Sequence, residues 1–267
     1  MGISCRTRRG KTGVSKYFEL MQALREAQRD SSPRREPAKT VSPVSEADRN
    51  THRGSPDFDR VAQEECLKLV QQIFLGQSAN PFRAIVFAGI DRGDGCSRIC
   101  VEAARTLAAN TSGSVCLVDA NFRTPSLPGF LGVTDDRGLA DSLIGEGGIR
   151  SFAKQLKPSN LWLLSGGTLV PESPSLLNSD RLKLRLQELR EEFDFILIDA
   201  PALNLYADAI ALGRIADGVV VVLQADSTRR ETARKGLESL RQAHIEVIGA
   251  VLNRRTFPIP DFVYRRL

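Results

Sequence analysis

The chain has 267 residues, 42% of them hydrophobic, a formal net charge of +5, five cysteines and two histidines. That is enough apolar content for one α/β core of about 200 residues with segments to spare. The five cysteines form no CxxC pair, which argues against a zinc site or a disulfide framework and suits a reducing compartment.

Taken from the start, residues 1–13 are basic and contain Gly10-Lys11-Thr12, a decoy for a nucleotide loop with no strand before it. The first residues lack the apolar core of a secretion signal, and no apolar run reaches the length of a membrane span. Ser15–Asp30 places Phe18, Met21, Leu24 and Ala27 on one helical face, so 1–30 reads as a basic arm ending in a short amphipathic helix. Residues 31–58 are rich in Ser, Pro, Arg and Asp with almost no large apolar residue, which predicts a disordered linker. A helix is expected over about Arg60–Leu75. The core domain, 59–256, then alternates strand and helix.

Strands are predicted at Ala84–Ala88, Val115–Asp119, Leu161–Ser165, Phe195–Asp199, Val219–Gln224 and Val247–Asn253. Helices are predicted at Ser97–Asn110, Ser179–Glu192, Ala207–Ile215 and Arg229–Ala243. Near-continuous Val/Ile/Leu strands separated by helices imply a doubly wound, mostly parallel sheet covered on both faces. Ligands of such sheets bind beyond the carboxyl ends of the strands, where Gly89–Gly95, Asp119 and Asp199 are expected. Residues 257–267 read as a tail.

The first strand runs into Phe87-Ala-Gly-Ile-Asp-Arg-Gly-Asp-Gly-Cys-Ser-Arg98, a Gly-rich turn opening a helix. Inward backbone N–H groups and a helix N-terminus make such a turn a phosphate cradle. A nucleotide loop of this kind ends in Gly-Lys-Ser/Thr, with the lysine on the β- and γ-phosphates and the hydroxyl on Mg²⁺. Here the triplet is Gly95-Cys96-Ser97, so the loop keeps its frame and lacks its cation. Gly93, Asp94, Gly95, Cys96, Ser97 and Arg98 are the candidate phosphate-binding residues. Cys96 reads most simply as a small residue at a drifted position. The alternative is a thiolate activated by the helix N-terminus and nearby arginines.

The order of motifs resembles the bacterial tyrosine kinases of capsule and exopolysaccharide synthesis, P-loop relatives of the partition and septum-positioning ATPases. Val115-Cys-Leu-Val-Asp-Ala-Asn-Phe-Arg-Thr-Pro-Ser-Leu127 resembles the family's LLIDADLRRPSL. Gly138-Leu-Ala-Asp-Ser-Leu143 resembles GLSDVL, and Ser165-Gly-Gly through Pro174-Ser-Leu-Leu177 a loop of type "G…P.NP.ELL". Phe193-Asp-Phe-Ile-Leu-Ile-Asp-Ala-Pro201 resembles the Walker B strand YDYVIIDTPP, and Val251-Leu-Asn253 the strand end that contacts adenine. Ser15-Lys-Tyr-Phe-Glu-Leu resembles the amino terminus of one branch, which predicts an initiator at Val14.

The resemblance implies a P-loop domain using ATP and Mg²⁺, with Ser97, Asp119 and Asp199 as metal ligands and Asp119, Asn121 and Asp199 at the catalytic positions. Asn253 falls at the adenine contact. It also shows departures. Cys96 replaces the lysine, Asn121 replaces the second acid of its motif, Ile90 stands where Gly or Ala is usual, and Arg98 stands where Thr is usual. Arg92 and Arg98 offer partial replacement of the lost charge, against the plainer reading of surface residues. The family's ring-forming E-x2-R-x2-R becomes Glu64, Leu67 and Val70, and its tail of tyrosines is reduced to Tyr264, with Tyr17 and Tyr206 elsewhere. The expectation is a tyrosine-kinase-like protein with weakened phosphotransfer, regulating or scaffolding polysaccharide synthesis and export. It is expected in the cytoplasm, brought to the membrane by a chain-length or export protein, with weakened self-assembly and no nucleic acid partner. An active protein-tyrosine kinase and a positioning ATPase are the alternatives.

Overall fold

A computed structural model describes residues 56–76, 82–134, 137–168, 173–177 and 179–254. The expectations for the arm and helix of 1–30, the start at Val14, most of the 31–58 linker and the 257–267 tail with Tyr264 lie outside these residues.

The first described helix, α1 (Pro56–Ile73), begins four residues before the expected Arg60. After it come β1 (Ala84–Gly89), α2 (Cys96–Asn110), β2 (Val115–Asp119), two short helices α3 (Leu127–Leu131) and α4 (Leu139–Ile144), a 3-10 turn at Ile149–Phe152, β3 (Lys154–Gln155) and β4 (Leu161–Leu164). The second half comprises α5 (Ser173–Leu176), α6 (Asp180–Glu192), β5 (Phe195–Ala200), α7 (Asp208–Gly213), β6 (Gly218–Gln224), α8 (Arg230–Gln242) and β7 (Val247–Asn253). The seven strands lie in the order β3-β4-β2-β5-β1-β6-β7, all parallel except β3. Every predicted strand is present with ends within a residue or so. The two-residue β3 was not foreseen, because two exposed polar residues carry no alternation.

Alternate residues of each strand feed opposite faces. In β1, Ile85 and Phe87 join Val70 and Phe74 around α1, and Cys100, Ala104 and Leu107 of α2, on one side. Ala84, Val86 and Ala88 face the other layer, built from Leu139 of α4, Leu186 and Leu189 of α6, Leu212 of α7 and Leu240 of α8. Strands buried on both faces explain the unbroken apolar runs.

The chain goes from β1 to β2 across a gap that β5 later fills. Asp199 of β5 is therefore in register with Phe87 on one side and Asp119 on the other. The loop after β1 and the two acids stand in a row at the carboxyl edge of the sheet. Further out, Gly138 and Ser165 meet in a parallel bridge. Leu139 N donates to Ser165 O (2.7 Å), Ala140 N to Gly166 O (3.0 Å), and the Asp141 carboxylate accepts from Gly138 N (2.8 Å) and Thr168 N (3.0 Å). Two motifs read separately in the sequence thus form one joint.

Candidate phosphate-binding site

The loop Gly89–Gly95 turns on two left-handed glycines, Gly93 at φ 94° and Gly95 at φ 84°. A Cβ at Gly93 would meet nothing within 4 Å, so the loop is open there. At Gly95 a Cβ would run into Asn253 Nδ2, so close approach and backbone sign both require glycine. Gly95 is also the N-cap of α2, with no side chain capping the helix. Among the described residues, the N–H groups of Gly93, Gly95, Cys96, Ser97 and Arg98 find no acceptor on the chain. Several free donors aimed from a helix N-terminus suit an anion.

The two acids behave differently although both side chains are fully buried. Asp119 turns forward and accepts from Asn121 N (3.2 Å), Ser126 N (3.1 Å) and Leu127 N (3.1 Å), holding the start of α3. Asp199 Oδ2 accepts from the Ser97 hydroxyl at 2.7 Å, while Oδ1 has no well-formed hydrogen bond. Burial, then the Asp119 charge, push the Asp199 carboxyl up to about 8, against smaller lowering effects of Ser97 and Cys96. At neutral pH it carries a proton. A nearby cation would hold this carboxyl ionised, and the cation of such loops is the one missing here.

Cys96 is half-buried and its thiol interacts with the Asp199 carboxyl and the Gly89 N–H. Burial first, then Asp199, drive its ionisation well above the ordinary thiol value. The activated-thiolate alternative is therefore corrected: the acid and the apolar surroundings outweigh the helix end. Cys100, fully buried one turn on, is pushed up for the same reasons.

Three predicted residues take positions that sequence spacing did not reveal. Asp94 is buried, with Oδ2 accepting from Asp91 N (2.8 Å) and Oδ1 from Thr228 Oγ1 (3.3 Å), so its side chain braces the loop from within. Asn253 donates from Nδ2 to Asp94 O (2.8 Å) and accepts from Arg254 N (2.9 Å), so its amide holds the loop. Asn121 accepts from Thr124 N (3.2 Å) and Oγ1 (3.4 Å) and closes a turn beside Asp119. Arg92 and Arg98 are exposed and form no ion pair among the described residues. Ile90, the oversized residue, is fully buried, and Gly236 of α8 makes room: a Cβ there would come within 2.8 Å of Ile90 Cδ1. Val70, where the ring motif has its last arginine, is fully buried against α2.

Three further residues emerge only from the fold. Asn204 Nδ2 bridges Asp91 Oδ1 and Thr232 O, each at 3.3 Å. Arg123 Nε pairs with Asp208 Oδ2 at 2.9 Å, and its guanidinium lies 4.0 Å from the centre of the Tyr206 ring. A lone carboxylate opening the apolar run Asp208–Leu212 was the available signal for that pair.

No protein-family model matches the chain. It is 28% identical over 181 residues to the tyrosine-protein kinase YwqD of Bacillus subtilis, covering 63% of this chain and 76% of that protein. It is 25% identical over 182 residues to the putative tyrosine-protein kinase CapB of Staphylococcus aureus, covering 68% and 79%. The relatives of this chain are bacterial tyrosine-protein kinases. Among solved structures, the chimerical protein CapA2B2 superposes with a TM-score of 0.68 at 22% identity, over 73% of this chain and 85% of that one. The BceF tyrosine kinase domain superposes at 0.58 with 26% identity, over 72% and 73%. The septum site-determining protein MinD of Pyrococcus horikoshii, solved with Mg-ADP, superposes at 0.56 with 22% identity, over 69% and 76%. The fold is that of the P-loop kinase domains and of the MinD and ParA ATPases.

The donor set of this kinase-like site suits phosphate, because its free N–H groups ask for an anion. It suits Mg²⁺ less well. The Ser97 hydroxyl is engaged by Asp199, Asp199 is protonated at neutral pH, and among the described residues no three His, Cys, Asp or Glu side chains converge as a metal site.

Proposed function

We propose that this chain binds a nucleotide phosphate weakly in its P-loop, has lost most or all phosphotransfer, and serves polysaccharide synthesis and export as a regulatory or scaffolding subunit. The observation that carries the reading is a cysteine in the position of the missing cation, with its thiol against the fully buried Asp199 carboxyl. Phosphoryl transfer depends on charge neutralisation around the transferred group. A loop that offers only backbone dipoles and a helix end binds phosphate without supplying that neutralisation. If ATP and Mg²⁺ were bound, the loop N–H groups would hold the phosphates, and Ser97 and Asp199 would have to give up their mutual hydrogen bond to hold the metal, which would supply the neutralising charge. Asn121 in place of an acid, and Asn253 committed to the loop, weaken the remaining contacts to proton, metal and base.

The relatives support a tyrosine-kinase-like chain, and the polysaccharide role rests on the motifs of this sequence that resemble those of the capsule and exopolysaccharide kinases. Among the described residues no helix is long and apolar enough to cross a membrane. In this reading an export or chain-length protein brings the chain to the membrane. Buried Val70 in the ring position fits weak self-assembly. The domain of 59–256 carries this activity, with the preceding and following segments as appendages.

A specific observation keeps an enzymatic reading in view: the Ser97–Asp199 contact and the open Gly93 turn are intact. The full chain with Mg-ATP and a tyrosine copolymer separates the two. Phosphate transfer at background level, unaltered in Asp199→Ala, is expected. Turnover that Asp199→Ala abolishes overturns the proposal. Calorimetric titration should show weak binding of Mg-ADP and Mg-ATP, and tight binding of both would contradict an impaired site.

A further inference from the structure

The short loop between β5 and α7 carries two adjacent apolar side chains in water, Leu205 at 51% exposure and Tyr206 at 36%. The loop that holds them is firmly tied. Leu203 N donates to Gly89 O (2.9 Å) and Asn204 N to Ile90 O (3.2 Å), which straps it to the start of the phosphate cradle. Asn204 Nδ2 reaches Asp91 Oδ1 and the Thr232 carbonyl of α8, and the N–H groups of Leu205 and Tyr206 both turn onto Ala202 O at 3.2 Å. One exposed leucine on a surface is ordinary. A leucine and a tyrosine fixed side by side on a braced turn are notable for what surrounds them.

Arginines flank this tip from three elements. Arg123, on the loop after β2, lies 4.0 Å from the centre of the Tyr206 ring and pairs with the buried Asp208. Arg92 follows Asp91, one partner of Asn204. Arg229 and Arg230 open α8 just before Thr232, its other partner. Arg98 and Arg254 extend the row along the same edge. All six are exposed, and Arg92, Arg98, Arg229 and Arg230 form no ion pair among the described residues. The acids exposed on the loops after β1, β2, β5, β6 and β7 and on the first helical turns that follow are Asp226 and Glu231. Asp91 is half-buried, and Asp94, Asp119, Asp199 and Asp208 are buried. The outward face of the carboxyl edge is therefore cationic with a small apolar centre.

We propose that this edge docks on an anionic lipid bilayer, with Leu205 and Tyr206 entering the interface and the arginines meeting headgroup phosphates. The two signals are the pair that reversible membrane attachment needs, a modest apolar anchor and a cluster of positive charge. An amphipathic aromatic ring sits well at headgroup level, and a guanidinium fork matches phosphate. Each arginine near such a surface strengthens attachment by roughly fivefold. A stable protein interface takes about 800 Å² from each partner, far more than two side chains on a turn provide. A bilayer asks for no such matching shape. Docked in this way, the phosphate cradle faces the headgroups. This contact goes beyond recruitment by an export protein, because the chain itself touches lipid, and it does not depend on nucleotide.

The full chain is mixed at low salt with vesicles of phosphatidylcholine, alone or with roughly a third phosphatidylglycerol, and attachment is read by flotation. Attachment is expected to the anionic vesicles only. Arg229→Glu combined with Arg230→Glu puts acids at a helix N-terminus, where they favour the fold, and should weaken attachment at least about tenfold. Leu205→Trp adds a reporter to a chain whose single native tryptophan, Trp162, is half-buried far along the sequence. Its emission should shift to the blue on anionic vesicles and be quenched by brominated lipid. No attachment to anionic vesicles overturns the proposal and leaves the tip to a protein. Attachment that leaves the Leu205→Trp emission unchanged, or that survives the double arginine change undiminished, overturns it as well, since another basic segment then holds the chain.

Discussion

Replacing Asp199 by asparagine should flatten the dependence of stability on pH. The carboxyl is fully buried, keeps one hydrogen bond from Ser97, and is pushed from an ordinary 3.8 up to about 8. In the unfolded chain it has lost its proton above about pH 4, whereas the folded chain keeps that proton to about pH 8. The folded state then binds one more proton than the unfolded, so stability is full below the unfolded value and falls as pH rises. One proton corresponds to about 1.4 kcal/mol per pH unit. Between pH 6 and 8 the parent should therefore lose on the order of 2–3 kcal/mol through this group alone. Asparagine keeps the shape and an acceptor for Ser97 and has no proton to lose. Urea denaturation of parent and Asp199→Asn at half-unit intervals from pH 5 to 9 gives the two curves. The parent should fall away from Asp199→Asn steadily from pH 5 to pH 8, by about 1.4 kcal/mol per unit until the folded value is approached, with Asp199→Asn the more stable at the alkaline end. Parallel curves would show that Asp199 is ionised in the fold and that the reasoning about the missing cation is wrong.

Restoring the cation with Cys96→Lys should strengthen Mg-ADP binding by tenfold or more by calorimetry, the range of one charge-assisted contact of about 1.5–3 kcal/mol. The same change should remove most of the alkaline loss of stability, by holding Asp199 ionised. Gly95→Ala combines a left-handed backbone with a collision against Asn253 and should cost about 2 kcal/mol or more; adding Asn253→Ala should relieve the collision and leave the strain, so the pair is less costly than the sum in a denaturation cycle. Arg185 is buried and donates to Ser142 O (2.9 Å), Gly147 O (2.8 Å) and Gly145 O (3.2 Å) while pairing with Glu188 (2.7 Å). Arg185→Met takes the donor from the Ser142 and Gly147 carbonyls, while Gly145 O keeps Arg181, and should destabilise by about 3 kcal/mol, read as a drop in the urea midpoint.

Much of this architecture was legible because its signals are local. Valine and isoleucine runs at Val219–Leu223 and Phe195–Ile198 announce buried parallel strands, and the glycines at 93 and 95 announce a turn before a helix. The placing of Asp119 and Asp199 at the carboxyl edge followed from strand ends, whereas their side-by-side register comes from β5 entering between β1 and β2. What the sequence hid is set by contacts between distant residues. Ile90 looked like damage to the loop, yet Gly236, 146 positions later, supplies the space for it. Asn253 looked like a base contact, yet β7 ends where its amide meets the Asp94 carbonyl. Cys96 beside a helix N-terminus suggested a lowered thiol value, but burial and a neighbouring acid decide the other way, and neither is visible without the fold. Arg123 was in plain view inside a quoted motif, and only its partners, Asp208 and Tyr206, give it significance.

The substitution at position 96 is therefore more than the deletion of a charge. A lysine in this loop and an ionised Asp199 would form a buried pair whose desolvation must be offset by their mutual attraction and by the ligand. A thiol beside a protonated carboxyl needs no such compensation, since each neutral group is cheaper to bury than an ion. The free-standing loop is thus stable without nucleotide, braced by Asp94, Thr228 and Asn253 on its protein side. The cradle keeps its N–H donors because backbone geometry, fixed by Gly93 and Gly95, does not depend on the side chain at 96. Recognition of phosphate and neutralisation of its charge are separable properties of a P-loop. The first lives in the backbone, whose left-handed Gly93 and Gly95 geometry persists here. The second lives in one side chain, and with a cysteine there the loop has no cation of its own to set against phosphate and the buried acids.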